Sequence, residues 1–197
     1  KISDPDDYAA INFDGSGFWK HSAVDTPARI LVENGHEQTF AYRFDWDELR
    51  EVNGVDLSRL VGAAHALEIL FVMGTFDNFI IKSFLFGRGS FRPALELSSN
   101  IQSYWAEFAY TGNPGKGTNN ALPLWKKWSN EGEKYLILDS TLDQGIKMSD
   151  EEYTVEFLLD KLSNDSRLSD IEKCETLFGI SYDCLLYTSD AADEVVR

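Results

Sequence analysis

Phe40-Ala41-Tyr42-Arg43-Phe44-Asp45-Trp46 places an aromatic ring at every second residue, the period of a β-strand with one face against a core. Further along, Gly62-Ala63-Ala64-His65-Ala66-Leu67-Glu68-Ile69 passes from small residues to bulky apolar ones. Small residues around a polar side chain suit a tight loop whose backbone runs close to something else. Beyond it, Ile101, Tyr104, Trp105 and Phe108 recur at the spacing of one helical stripe. That spacing predicts a helix over 98–111, capped by Ser98 or Ser99 and stopped by Gly112. Strand, loop and long amphipathic helix together argue for a mixed α/β class.

The remaining segments extend this pattern. A helix is expected over 19–32, ending at Asn34-Gly35, and residues 45–60 read as a connection with a helical turn near Leu57. Asn113-Pro114-Gly115-Lys116-Gly117 is rich in turn formers, and Tyr135-Leu136-Ile137-Leu138 reads as a short buried strand. Ser149 with Glu152 has the form of a capping box for a helix that would turn Val155, Leu158, Leu159 and Leu162 inward. A last short helix is expected over 169–178. No internal repeat is present, and no linker is long enough to separate two domains. The strands are too few to form a two-sided sheet by themselves.

Composition narrows the function classes. With 43% apolar and 13% aromatic residues, the 197-residue chain has the makings of a folded core. Lys plus Arg number 18 and Asp plus Glu 33, a formal charge of −15. Such a surface repels phosphate backbones and anionic lipid, which argues against nucleic acid as a partner. The most apolar run, 67–74, contains Glu68 and is far shorter than the roughly 20 residues a bilayer span requires. Two cysteines, Cys174 and Cys184, allow at most one disulfide and have no metal-site spacing, so no metal or cofactor is expected. Asn164-Asp165-Ser166 is a glycosylation sequon of a kind common by chance.

Three segments in order resemble the type-B carboxylesterase family, which includes cholinesterases, bacterial esterases and some lipases. The first is Ala41-Tyr42-Arg43-Phe44-Asp45-Trp46-Asp47-Glu48. The second is Gly62-Ala63-Ala64-His65-Ala66-Leu67-Glu68-Ile69-Leu70-Phe71-Val72-Met73-Gly74, similar to the family's histidine loop. The third is Ser103-Tyr104-Trp105-Ala106-Glu107-Phe108-Ala109-Tyr110-Thr111-Gly112-Asn113-Pro114 with Leu122-Pro123-Leu124-Trp125. The resemblance covers roughly residues 18–180. It departs at Ala66, where the family most often has Gly, and at Met73, where it often has Phe.

The resemblance implies the C-terminal portion of an α/β-hydrolase fold, an incomplete sheet with packed helices. It also implies hydrolysis of a small-molecule carboxylic ester through an acyl-enzyme, with His65 as the triad base. A triad needs a serine, a histidine to take and return its proton, and a carboxylate to hold the imidazole tautomer. In this fold the histidine comes last in the chain, so serine and acid are expected upstream of residue 1. No Gly-x-Ser-x-Gly and no Gly-Gly pair occurs in the chain. Asp45 and Asp47 precede His65 closely, but the family's acid comes from an earlier strand. Leu67 and Phe71 are candidates to line the substrate pocket, with core packing as the competing reading. His21 and His36 read as surface residues, and Glu68 as a hydrogen-bonded carboxylate rather than a metal ligand.

The start, Lys1-Ile2-Ser3-Asp4-Pro5-Asp6-Asp7, has neither a Met nor a signal-peptide pattern. Residues 1–183 are therefore expected to be the C-terminal part of one hydrolase domain. Residues 184–197 read as the translation of a transposase-adapter sequence and are expected to be a non-native tail. The isolated chain is expected to be inactive. The competing function is a non-catalytic, cholinesterase-like adhesion domain.

Overall fold

The computed structural model describes residues 5–77, 82–83, 85–87 and 89–179. Cys184 and the 184–197 tail lie outside the described residues. The chain divides into two compact units, one of Leu31–Glu151 and one of Lys1–Ile30 with Glu152–Arg197. It is a mixed α/β structure with a small mixed sheet.

In the Leu31–Glu151 unit, strand β1 (Ala41–Phe44) pairs in parallel with β4 (Tyr135–Leu138), Ala41 opposite Tyr135 and Phe44 opposite Leu138. Strand β5 (Lys147–Ser149) pairs antiparallel with β4 on its other side. All four residues of β4 are buried, which explains why it reads as a continuous apolar run. Segment 45–60 holds more order than a connection. Strands β2 (Glu51–Val52) and β3 (Val55–Asp56) form a hairpin around Asn53-Gly54, both at positive φ (51° and 78°), as a tight Asn-Gly turn requires. Helix α3 (Leu57–Leu60) follows directly, capped by the Asp56 carboxylate on the Ser58 and Arg59 amides.

Helix α4 (Leu67–Met73) and helix α5 (Phe91–Thr111) carry the core. Helix α5 begins well before 98, so neither Ser98 nor Ser99 is its cap. Ser98 is buried within the helix and donates to the Phe71 carbonyl. Its inward stripe is Ala94, Leu97, Ile101 and Tyr104, while Phe108 is 47% exposed. The helix stops at Gly112, whose φ of 74° suits glycine. Trp46, Phe71, Ile101, Tyr104, Leu136 and Leu138 form the centre of this core.

In the other unit, helix α1 (Pro5–Lys20) runs into a π-helical turn (His21–Asp25), followed by α2 (Thr26–Glu33). The expected start near 19 is therefore too late. Gly15-Ser16-Gly17 lies within α1, and Leu158 and Tyr153 pack where a side chain on Gly17 would stand. Helix α6 (Val155–Asn164) is capped by Thr154, whose Oγ accepts from the Phe157 amide at 3.1 Å. Ser149 lies in β5, and Glu152 pairs with Arg29, so these two do not form the cap. Leu158 and Leu162 turn inward, but Val155 and Leu159 are each 40% exposed. A last helix, α7, spans 170–179, with Ser169 and Glu172 as a reciprocal capping box.

Candidate active site

His65 lies between α3 and α4 and is exposed. The turn that carries it is closed by the Leu67 amide donating to the Ala64 carbonyl at 3.1 Å. Ala66 stands at φ 71°, ψ −2°, while His65 keeps a negative φ. These angles make Ala64-His65-Ala66-Leu67 a type II turn, with His65 at its second position and Ala66 at its third. Gly62, at φ 58°, turns the chain on the other side of the histidine. Both Gly62 and Ala66 thus stand at positive φ, the region that favours Gly and Asn.

Helix α4 fixes the exit from the turn. Phe71 is wholly buried, with ring centroids 5.0 Å from Phe44, 5.0 Å from Trp46 and 5.3 Å from Phe76. Leu67 is half-buried at the start of the helix. Of the two residues named as pocket candidates, Leu67 thus reaches the surface and Phe71 sits in the core. Glu68 is part-buried. Together with burial, its charge pushes the Tyr42 phenol above its ordinary pKa, burial being the larger cause.

The acids after β1 have other occupations. Arg43 binds Asp45 through two parallel hydrogen bonds of 2.7 Å, the fork geometry in which guanidinium and carboxylate match. The same guanidinium donates to the Tyr135 hydroxyl (2.8 Å) and to Glu151 (2.7 Å). Asp47 is part-buried beside Glu48, Asp143 and Asp45; burial first, then these like charges, raises its carboxyl. His21 is part-buried rather than a surface residue, its Nδ1 donating to the Tyr153 carbonyl at 2.6 Å, while His36 is exposed.

A pocket not singled out by sequence lies beyond the carboxyl end of β4, has a volume of about 180 Å³, and is lined by Leu97, Pro123 and Ile146 together with Glu96, Asp139 and Ser140. Asp139 is 2% exposed and accepts from the Ser140 and Gln144 amides. Ser140 Oγ donates to Glu48. Burial pushes the Asp139 carboxyl up to about 6, with Glu48 and Asp143 adding to the shift. The signal was the placement of Leu138-Asp139-Ser140 at a strand end, but Glu48 joins them only through the fold. Among the described residues no cluster of three or more His, Cys, Asp or Glu side chains is arranged to hold a metal. No helix among them is long and apolar enough to cross a membrane.

The carboxylesterase family model matches residues 7–157. Carboxylesterase 5A of Canis lupus familiaris is 39% identical over 103 residues, 52% of this chain and 16% of that protein. Carboxylesterase 4A of Bos taurus is 38% identical over 94 residues, 47% of this chain and 15% of that protein. Para-nitrobenzyl esterase of Bacillus subtilis (strain 168) is 30% identical over 127 residues, 64% of this chain and 22% of that protein. A solved PNB esterase structure matches with a TM-score of 0.38 at 32% identity, covering 56% of this chain and 18% of that one. The chain thus aligns with less than a quarter of the length of each of these relatives. With the family model spanning most of its residues, including the whole His65 turn, the chain belongs to the carboxylesterase family.

Proposed function

We propose that the chain supplies the catalytic histidine, His65, of a serine ester hydrolase whose nucleophile and triad acid are contributed from outside these 197 residues. The supporting observation is the exposed His65 turn, mounted on a helix anchored in the core, in a chain of the carboxylesterase family. In this role the imidazole takes the proton of a serine hydroxyl as its oxygen attacks the ester carbonyl. It then returns that proton to the departing alcohol, leaving an acyl-enzyme. Water repeats the sequence with the acyl group, releasing the carboxylic acid and the free serine. Leu67, at the edge of the turn, is placed to touch the substrate.

Two measurements test this. In the full-length protein, His65→Ala should lower kcat by several orders of magnitude with little change in substrate affinity. The 197-residue chain alone should not turn over a p-nitrophenyl ester, because a base without nucleophile or oxyanion donors has nothing to activate. Turnover by the isolated chain that His65→Ala abolishes would overturn the second expectation. A full-length protein whose hydrolysis survives His65→Ala would overturn the first.

A further inference from the structure

We infer that Ala66 is a positioning residue for the His65 imidazole, acting through the turn type it imposes; this rests on the reading of His65 as the triad base. The third position of a type II turn requires positive φ and is suited to Gly or Asn, because a β-carbon there crowds the following carbonyl. Ala66 occupies it at φ 71°. The same four residues could close the same Ala64–Leu67 hydrogen bond as a type I turn, which an L-residue prefers. The two turns differ by a flip of the peptide joining His65 to Ala66. Both turns hold His65 at a φ of about −60°, so the flip acts through its ψ and changes the direction of the imidazole relative to the peptide that leads into α4.

The exit from the turn cannot absorb this change. Helix α4 starts at the next residue, its Ile69 amide donates to the Ala66 carbonyl at 3.3 Å, and Phe71 is held in the core by its ring contacts and by Ser98. A reorientation of the flanking peptide is therefore passed to His65 rather than to the helix. Displacements on the order of 1 Å at a catalytic group are enough to cost about a hundredfold in rate. Ala is the smallest residue that makes the strained turn conditional on its surroundings. Gly would relax it, and a β-branched side chain would tip it toward the flipped form.

The test uses the full-length protein, with active sites counted by the burst of p-nitrophenol from a p-nitrophenyl ester. Ala66→Val should lower kcat per titrated site roughly tenfold or more, with KM within about twofold. Ala66→Gly and Ala66→Asn, both at ease with positive φ, should keep kcat per site at or above the parent value. The inference is overturned if Ala66→Val leaves kcat per titrated site unchanged, if the whole loss lies in the number of titratable sites, or if Ala66→Asn is as impaired as Ala66→Val. His65→Ala run alongside separates the two claims. If that variant retains turnover, the role of His65 falls and this inference with it; if it is inactive while Ala66→Val is normal, only the positioning role falls.

Discussion

Ser98 Oγ donates a 2.6 Å hydrogen bond to the carbonyl oxygen of Phe71, tying α5 to the last turn of α4. The final four carbonyls of a helix have no partner within it, and Phe71 is one of those four in α4. Gln102 serves the next carbonyl, Val72, at 3.3 Å. Ser98→Ala removes a buried donor and leaves the Phe71 oxygen without one, a loss of about 1–3 kcal/mol. Urea unfolding should show a lower midpoint with an unchanged slope. An unchanged midpoint would mean that the bond contributes nothing to holding the two helices together.

Phe71→Ala should cost more. The ring is fully enclosed by Phe44, Trp46 and Phe76, and truncating such a side chain typically costs about 3–5 kcal/mol through lost transfer energy and the cavity left behind. Phe71→Leu, closer in volume, should recover much of the loss. If Phe71 instead lined a substrate pocket, Phe71→Leu would raise KM at unchanged stability. Measuring both quantities on the same variant in the full-length protein decides between them.

Much of the framework could be read from local pattern, because the patterns are themselves the physics. The strand at 41–44 is legible from its alternating rings, but not its buried face, since Ala41 is buried and Tyr42 is exposed; 135–138 is apolar throughout because β4 is covered on both faces. Local pattern misleads where a tertiary partner reassigns a residue. Ser98 looks like a cap but lies inside α5 and donates to the Phe71 carbonyl, and Glu152 looks like half of a capping box but pairs with Arg29. Asn53-Gly54 is a tight-turn dipeptide, but its strands are only two residues long, too short for an alternating pattern to mark them within 45–60. The tight turn at 62–66 is legible in its small residues, whereas the left-handed backbone of Ala66 is not, since alanine carries no signal for it. The Asp139 pocket joins residues distant in sequence, so no local window contains it.

Gly17→Ala sets two effects of opposite sign against each other. Alanine is favoured over glycine in a helix interior by about 1 kcal/mol. An added Cβ would, however, stand 2.8 Å from Leu158 Cδ2 and 3.5 Å from Tyr153 Cδ2. Leu158 is fully buried and has little freedom to withdraw, and overpacking of this kind typically costs about 1–3 kcal/mol. The net expectation is a destabilisation of about 1 kcal/mol. A double variant with Leu158→Ala should reverse the sign of the Gly17→Ala effect. A stabilised single variant in thermal unfolding would show that α6 can shift away from α1 at little cost.

Asp139 should make stability depend on pH in the direction opposite to that of a salt-bridged carboxylate. Unfolded, its carboxyl ionises near 3.9; folded, burial and the nearby Glu48 and Asp143 push it up to about 6. Between these values the folded state holds a proton that the unfolded state has lost, so stability falls as pH rises. Below about 4 both states are protonated and the penalty is absent; above about 6 both are ionised and it is fully present. Two pH units of separation correspond to a contribution on the order of 3 kcal/mol. Asp139→Asn keeps an acceptor for one of the two amides and removes the titration. Urea midpoints of parent and variant should therefore diverge across pH 4–6, the parent losing stability relative to Asp139→Asn as the pH rises. Parallel profiles would show that the carboxyl ionises alike in the folded and unfolded chain.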